Sequence, residues 1–358
     1  MKKVFVFLLI TILICGCSKT PPQTTQTQAG PDPNAITLTS GICSLKDGFS
    51  AVRYDGDYGF DEFIEQGGAK SDSEVIGYLA QKLGLGIDIN SLIGGQFGCS
   101  TISVQSPKGE HLFGRNFDWQ NCDAMVVAAY PKNGYNSIST VNMDFLTQYV
   151  SDSVADMANL SDNAKTIAAL YAPLDGVNEA GLAVSVNMIA DLAVINQDTQ
   201  KPDITTTTAI RLLLDKASNV AEAVELLGEY DMHSSMDLMV HFAIADTDGN
   251  SVAVEYIENE MVVTPTPVMT NFYLAEGDKY GIGTEQSHQR YDILTASLEQ
   301  SPAMSIEQVR DALDSVSRDN FEEFESTEWS VVYNQSTGMA QYYHRENYDK
   351  SFTFYLDK

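Results

Sequence analysis

One stretch constrains the fold of this chain more than any other. Gly98-Cys99-Ser100-Thr101 opens an alternating run through Ile102, Ser103, Val104 and Gln105, turns at Ser106-Pro107-Lys108-Gly109, and returns through Leu112 and Phe113 to Gly114-Arg115-Asn116-Phe117-Asp118-Trp119. Alternation on both sides of a Pro- and Gly-bearing turn predicts a β-hairpin. If Cys99 starts the first strand, and Arg115 and Asp118 lie near the end of the second, the turn carries both charged side chains back beside the thiol. There the guanidinium would favour the thiolate and the carboxylate could orient an amine. The same residues also admit a structural reading, with Cys99 a buried small hydrophobe and Arg115–Asp118 a surface ion pair.

The remaining patterns place helices and sheets around that hairpin. Residues 41–70 give weak signals, and Tyr54-Asp55-Gly56-Asp57-Tyr58-Gly59 reads as a turn, since it lacks the glycine and distal glutamate of a calcium-binding EF-hand. Ser71 with Glu74 forms a capping box for a helix to about Leu83, stopped by Gly84 and Gly86. Ser91 to Gly98 is small and bendable, without the lysine of a phosphate-binding loop. Met125 to Tyr130 reads as a strand and Val141 to about Tyr171 as helical, with Ser161-Asp162 as a cap. Asp175-Gly176-Val177-Asn178-Glu179-Ala180-Gly181 reads as a turn into a strand from Leu182 to Asn187, with Asn178 holding the turn.

Helices follow from Thr205 to about Ala217, with an apolar stripe through Ile210, Leu213 and Leu214, and after Asn219, where Glu222 completes a cap. His241 to Ala245 and Ser251 to Tyr256 flank Asp246-Thr247-Asp248-Gly249-Asn250 as a hairpin. Beyond it come a strand from Met261 to Val268, a helix from Ser287 through Leu298, and a helix capped by Ser305 and Gln308. A hairpin of Trp329–Tyr333 with Met339–Tyr343 and a last strand, Phe352–Tyr355, complete the chain. Hairpins at both ends with helices between them predict an α+β fold of mostly antiparallel sheets covered by helices.

At 358 residues the chain can bury one large core or two modest ones. Its 49 acidic against 21 basic residues give a net charge of -28, which would repel phosphate backbones and makes nucleic acid an unexpected partner. Met1-Lys2-Lys3 followed by Val4 to Ile14 is a basic head on an apolar run too short for a spanning helix, as in a secretion signal. The run ends Leu13-Ile14-Cys15-Gly16-Cys17, which resembles the lipobox of bacterial lipoproteins. That resemblance implies a signal peptide over 1–16, a lipid on Cys17, and an exported protein whose only membrane contact is this anchor. Residues 17–40, rich in Pro, Gln and Thr, would be the tether.

Three cysteines then remain, Cys43, Cys99 and Cys122. An odd number in an oxidising compartment leaves at least one unpaired. Either Cys43 pairs with Cys122 and frees Cys99, or all three are structural or idle; the first is the expectation, because it frees the cysteine with a chemical context.

Several familiar chemistries are missing. There is no Gly-x-Ser-x-Gly elbow, no His-Glu-x-x-His and no Cys-x-x-Cys pair outside the leader, and His111, His233, His241, His288 and His344 are dispersed. No metal and no cofactor are expected. With no histidine tied to Cys99, the base left for this thiol is its own amino group.

At this point the residues resemble a family. Cys99-Ser100-Thr101-Ile102 with Gly114-Arg115-Asn116-Phe117-Asp118 is similar to the start of the mature catalytic chain in N-terminal-nucleophile amide hydrolases, in the branch holding choloylglycine (bile salt) hydrolases, penicillin V acylases, acid ceramidase and N-acylethanolamine acid amidase. The cysteine precedes the arginine by 115-99=16 positions and the aspartate by 118-99=19, as in that group. Asp175 to Leu182, Asn187, Val268-Met269-Thr270-Asn271 and Ser287-x-x-Arg290 extend the resemblance in family order.

The resemblance implies a four-layer αββα sandwich over 99–358, made catalytic by cleavage of Gly98-Cys99. Residues 41–98 would be a propeptide or small subunit. It implies Cys99 as nucleophile with its α-amine as base, Asp118 orienting that amine, and Arg115 and Arg290 stabilising thiolate or substrate. Asn187 and Asn271, otherwise turn residues closing strands, would donate to the oxyanion. The expected activity is hydrolysis of a linear amide in a small N-acyl molecule through a thioester. An acyltransferase using the same thioester, and a non-catalytic ligand-binding surface lipoprotein, are the alternatives. Oligomeric state is not legible.

Overall fold

The computed structural model describes residues 35–84, 98–148, 160–318 and 326–357. The leader, Cys17, the tether as far as residue 34, Gly86 and the run from Ser91 to Phe97 lie outside these residues.

The first elements are β1 (Cys43–Lys46), β2 (Phe49–Asp55), α1 (Phe60–Glu65) and α2 (Asp72–Leu83), followed by the central hairpin of β3 (Gly98–Gln105) and β4 (His111–Trp119). Next come β5 (Ala124–Tyr130), β6 (Ser137–Asn142), α3 (Met143–Gln148), α4 (Asp162–Leu170), β7 (Asp175–Asn178), β8 (Ala183–Met188), β9 (Asp203–Thr205), α5 (Thr206–Lys216) and α6 (Val220–Leu227). The chain continues through β10 (Asp231–His233), β11 (Val240–Ala245), β12 (Ser251–Ile257), β13 (Glu260–Pro265), β14 (Val268–Met269), α7 (Glu285–Gln300) and α8 (Ile306–Asp314), and ends with β15 (Ser326–Asn334), β16 (Met339–His344) and β17 (Ser351–Tyr355).

Two large sheets carry the fold. One has nine strands in the order β1-β2-β5-β6-β7-β8-β11-β12-β13, the other six in the order β14-β3-β4-β15-β16-β17, and β9 and β10 pair in parallel beside them. Both large sheets are antiparallel except for the parallel pairing of β2 with β5. Their facing surfaces share one apolar core, in which Phe49 of one sheet meets Tyr342 and Phe352 of the other. Helices α4, α5 and α6 pack on the nine-stranded sheet, and α7 and α8 cover the six-stranded sheet over a second core of Ile102, Leu112, Leu294, Val309 and Leu313. The result is the expected α+β architecture of four layers, αββα.

The helix ends follow their local chemistry. The Ser71 hydroxyl accepts from the Glu74 amide (3.3 Å), while the Glu74 carboxylate takes the Lys70 amide (2.8 Å) rather than closing a reciprocal box. At α8 the box is complete, with Ser305 Oγ on the Gln308 amide and the Gln308 side chain on the Ser305 amide. In α5 the stripe of Ile210, Leu213 and Leu214 is fully buried, as its spacing predicts.

Four expectations are corrected. The stretch from Val141 onward is not helical at its start, because Val141 belongs to β6, which pairs with β5 and β7 and is buried at every residue. Asp175–Asn178 is itself a strand, β7, with the turn beginning at Glu179. Met261–Val268 divides into β13 and β14, which join different sheets, the break falling at Thr266-Pro267. The Cys43–Cys122 disulfide is not formed: Cys43 is exposed on edge strand β1, whereas Cys122 is buried, its amide donating to Glu328 Oε2 (3.0 Å) and its carbonyl accepting from Arg345 Nη2 (3.1 Å).

Candidate active site

Cys99 stands second in β3, opposite Phe117 of β4, with Gly98 opposite Asp118 and Thr101 opposite Arg115. This register returns the charged pair to the thiol as the hairpin predicts. A third segment arrives from the other side of β3, where β14 pairs Met269 with Thr101, so that the chain leaving β14 brings Thr270 and Asn271 alongside Cys99. From the nine-stranded sheet, β8 ends at Asn187 and Met188 against the same point, and α7 supplies Arg290.

The contacts converge on one residue. Arg115 Nη2 lies 3.5 Å from Cys99 Sγ, and the sulfur lies 3.8 Å from the Val186 carbonyl oxygen. The Cys99 amide donates to Asn271 Oδ1 at 2.8 Å. Arg290 Nη1 donates to the Cys99 carbonyl and to Ser100 Oγ, both at 2.7 Å, and approaches Asp118 Oδ2 at 3.4 Å. Its Nη2 donates to Asn271 Oδ1 at 2.6 Å. All six candidate side chains are buried, and Cys99 is 0% exposed. A surface ion pair between Arg115 and Asp118 is therefore excluded; each has a separate partner.

Asp118 accepts from Thr327 Oγ1 at 2.8 Å, and Arg318 Nε lies 3.7 Å from its other oxygen. The residue before the cysteine must be small here, because a Cβ on Gly98 would fall 2.7 Å from Asp118 Oδ2. Asn187 and Asn271 each spend one amide hydrogen on a carbonyl, Asn187 on Thr270 (3.2 Å) and Asn271 on Met188 (2.7 Å). Each side-chain amide has a second hydrogen to give.

Electrostatically, burial is the largest influence on the thiol and pushes it up to about 11. Arg115 pulls the other way, as the hairpin predicts, Asp118 reinforces burial, and Arg290 opposes it. Burial therefore favours the neutral thiol over the thiolate, and the thiolate is the form that attacks.

A supporting shell lies behind these side chains, of which only Asp175 belongs to a motif read in the sequence. Asp175 contacts Arg115 Nε at 3.0 Å. His241 bridges Glu255 Oε1 (2.9 Å) and the Thr270 carbonyl (3.0 Å), and Glu255 also accepts the Leu274 and Ala275 amides, which fixes the loop holding Asn271. Burial alone would raise the Glu255 carboxyl, but His241 and the two amides hold it below the usual carboxylate range. Thr327 is 209 positions from Asp118, beyond the reach of any local pattern. Glu255 sits within an alternating strand, where a charge at an inward position was the one available signal. Among the described residues no group of His, Cys, Asp and Glu is arranged to hold a metal ion.

Comparison with known proteins matches the family model for linear amide C–N hydrolases, choloylglycine hydrolase family, over residues 99–278. In sequence the chain is 25% identical over 173 residues to a bile salt hydrolase/transferase of Clostridium perfringens, an alignment covering 46% of this chain. That alignment spans about half, 50%, of the relative's length. In structure it is similar to conjugated bile acid hydrolase from Clostridium perfringens, solved as a cysteine-to-alanine mutant, with a TM-score of 0.52 and 17% identity over 72% of this chain and 92% of that one. An arginine-to-leucine variant of the same hydrolase matches with a TM-score of 0.51 and 16% identity over the same shares. At that identity the two structures establish a shared fold.

Proposed function

Because the chain belongs to the choloylglycine hydrolase family of linear amide C–N hydrolases, we propose that it hydrolyses the amide bond of small N-acylated molecules with Cys99 as nucleophile. The observation that carries this reading is the convergence of Arg115, Asn271 and Arg290 on one buried cysteine at the start of β3, with Asp118 opposite the preceding glycine.

In the continuous chain the Cys99 nitrogen is an amide and cannot act as a base. Cleavage of Gly98-Cys99 turns it into an α-amine bonded to the same carbon framework as the thiol. That amine, held by Asn271 Oδ1, takes the thiol proton directly or through a water. The sulfur then adds to the substrate carbonyl, and the second hydrogens of Asn187 and Asn271 are the donors aimed at the resulting oxyanion. As the C–N bond breaks, the amine returns its proton to the leaving nitrogen, and the acyl group remains on sulfur as a thioester. Water, deprotonated by the same amine, adds to the thioester and releases the carboxylic acid and the free thiol.

A second reading has a specific observation behind it. The Clostridium relative is named a hydrolase/transferase, and a thioester that meets an amine instead of water transfers its acyl group. Both readings are tested by incubating the mature protein with a panel of N-acyl amides and recording intact mass. An acyl-sized increase on Cys99 that decays with acid release supports hydrolysis, decay hastened by added amine supports transfer, and no increase with any acyl amide contradicts both.

A further inference from the structure

Arg115 is fixed on three sides. Its Nε lies 3.0 Å from Asp175 Oδ2 as a buried ion pair whose N–H is not aligned for a hydrogen bond, its Nη1 donates to the Leu174 carbonyl at 2.7 Å, and Nη2 faces Cys99 Sγ. Asp175 is fixed in turn, with Oδ1 accepting from Tyr333 Oη (2.6 Å) and Oδ2 from Trp329 Nε1 (3.0 Å). Trp329 stacks on Phe117, the residue opposite Cys99, with ring centroids 4.1 Å apart. Arg115 and Asp175 are both 0% exposed, and the donors to Asp175 come from β15, the strand next to β4.

We propose that Asp175 is a positioning residue for the reacting thiol, its buried carboxylate holding the Arg115 guanidinium by their ion pair so that Nη2 faces Cys99 Sγ. Asp175 does not touch the sulfur. A guanidinium on a flexible stem loses less freedom per bond when its planar fork is already anchored, so its direction is decided by the anchor. The inference concerns the Arg115–Cys99 contact and uses the proposed function only to explain why that contact matters.

The test is a double-substitution cycle read at the thiol itself. Cysteine labelled with carbon-13 at Cβ in the full chain gives a Cys99 resonance, identified by its loss in Cys99→Ala, whose titration reports the thiol directly. Charges that stay in place contribute additively, so a change in the effect of Arg115 when Asp175 is removed means that Arg115 has moved. Arg115→Gln should raise the titration by about one pH unit or more in the parent, and by less than about a third of that in Asp175→Ala. An equal or larger shift in the Asp175→Ala background overturns the proposal, because a merely structural aspartate leaves the arginine's effect intact.

If Asp175→Ala does not fold, the same cycle is run with Asp175→Ser, whose uncharged side chain falls short of Arg115: the proposal again expects less than about a third of the parent's Arg115→Gln shift, and an equal or larger shift overturns it. Because an α-amine on Cys99 itself moves the thiol titration, intact mass is recorded for every variant and only chains in the same state at Gly98-Cys99 are compared. No substrate enters the readout, so failure of the positioning role is distinguishable from failure of the hydrolase reading.

Discussion

At Cys99 two effects of opposite sign act on one sulfur, the pull of Arg115 toward the thiolate and the push of burial toward the thiol. The spacing of Arg115 from Cys99 shows that a cation meets the thiol, and it does, at 3.5 Å. Complete burial nevertheless wins and leaves the thiol near 11, so a neighbouring arginine does not by itself make this cysteine a nucleophile. The proposed oxyanion donors carry the prediction at this scale. Asn271→Ala should reduce kcat/KM for the best N-acyl substrate by about 10²–10³-fold, the usual loss for one such donor. Its side chain also holds the Cys99 nitrogen and Arg290, so steady-state kinetics showing a loss below about threefold would refute its role.

Among the elements, legibility tracked how local the signal was. The β3–β4 hairpin, α5, the β11–β12 hairpin, the body of α7 and the capped helix α8 follow from alternation, helical spacing and a cap, all of which act over a few residues. β6 and β7 were obscured because strands buried on both faces, such as Ser137–Asn142, have no alternation to show. β2 was missed because its partner β5 lies far along the chain, and β1 because it is a mostly exposed edge strand with no apolar alternation to show. Between elements, His344 of β16 stacks on Phe49 of β2 with centroids 5.1 Å apart, tying one sheet to the other.

Burial, helped by the nearby charges of Arg345 and Lys46, lowers His344 to about 4. Its folded value is thus below the ordinary 6.5, so the unfolded chain takes up a proton first as pH falls. The stability tied to the neutral ring is complete above about pH 6.5 and lost as pH falls through 4. Urea unfolding should show His344→Phe losing less stability than the parent between pH 7 and 4; identical pH slopes would contradict this.

For the whole molecule, the described residues of 35–84 and those from Cys99 onward share one core, whatever becomes of the peptide bond between Gly98 and Cys99. β2 pairs with β5 along its full length, Arg53 stacks over Tyr130 at 3.7 Å, and Tyr58 hydrogen-bonds Asp215 in the interior. Phe60 and Phe63 pack on Tyr171 with centroids 5.4 and 5.5 Å away. Burial of several aromatic side chains, at about 2–3 kcal/mol each, is more than a cut chain can readily give up. After cleavage the two pieces should therefore elute together from a sizing column and separate only in denaturant, and separate native elution would show that the leading segment is shed.

The central claim is that Cys99 becomes a chain terminus and acts as one. Intact mass of the purified protein beside Cys99→Ala, under denaturing conditions, tests it most directly. The account predicts two masses that sum to the parent plus one water, with the larger beginning at Cys99, and a single uncut mass for the variant. A parent that remains one chain, or a Cys99→Ala chain that splits equally well, would contradict it.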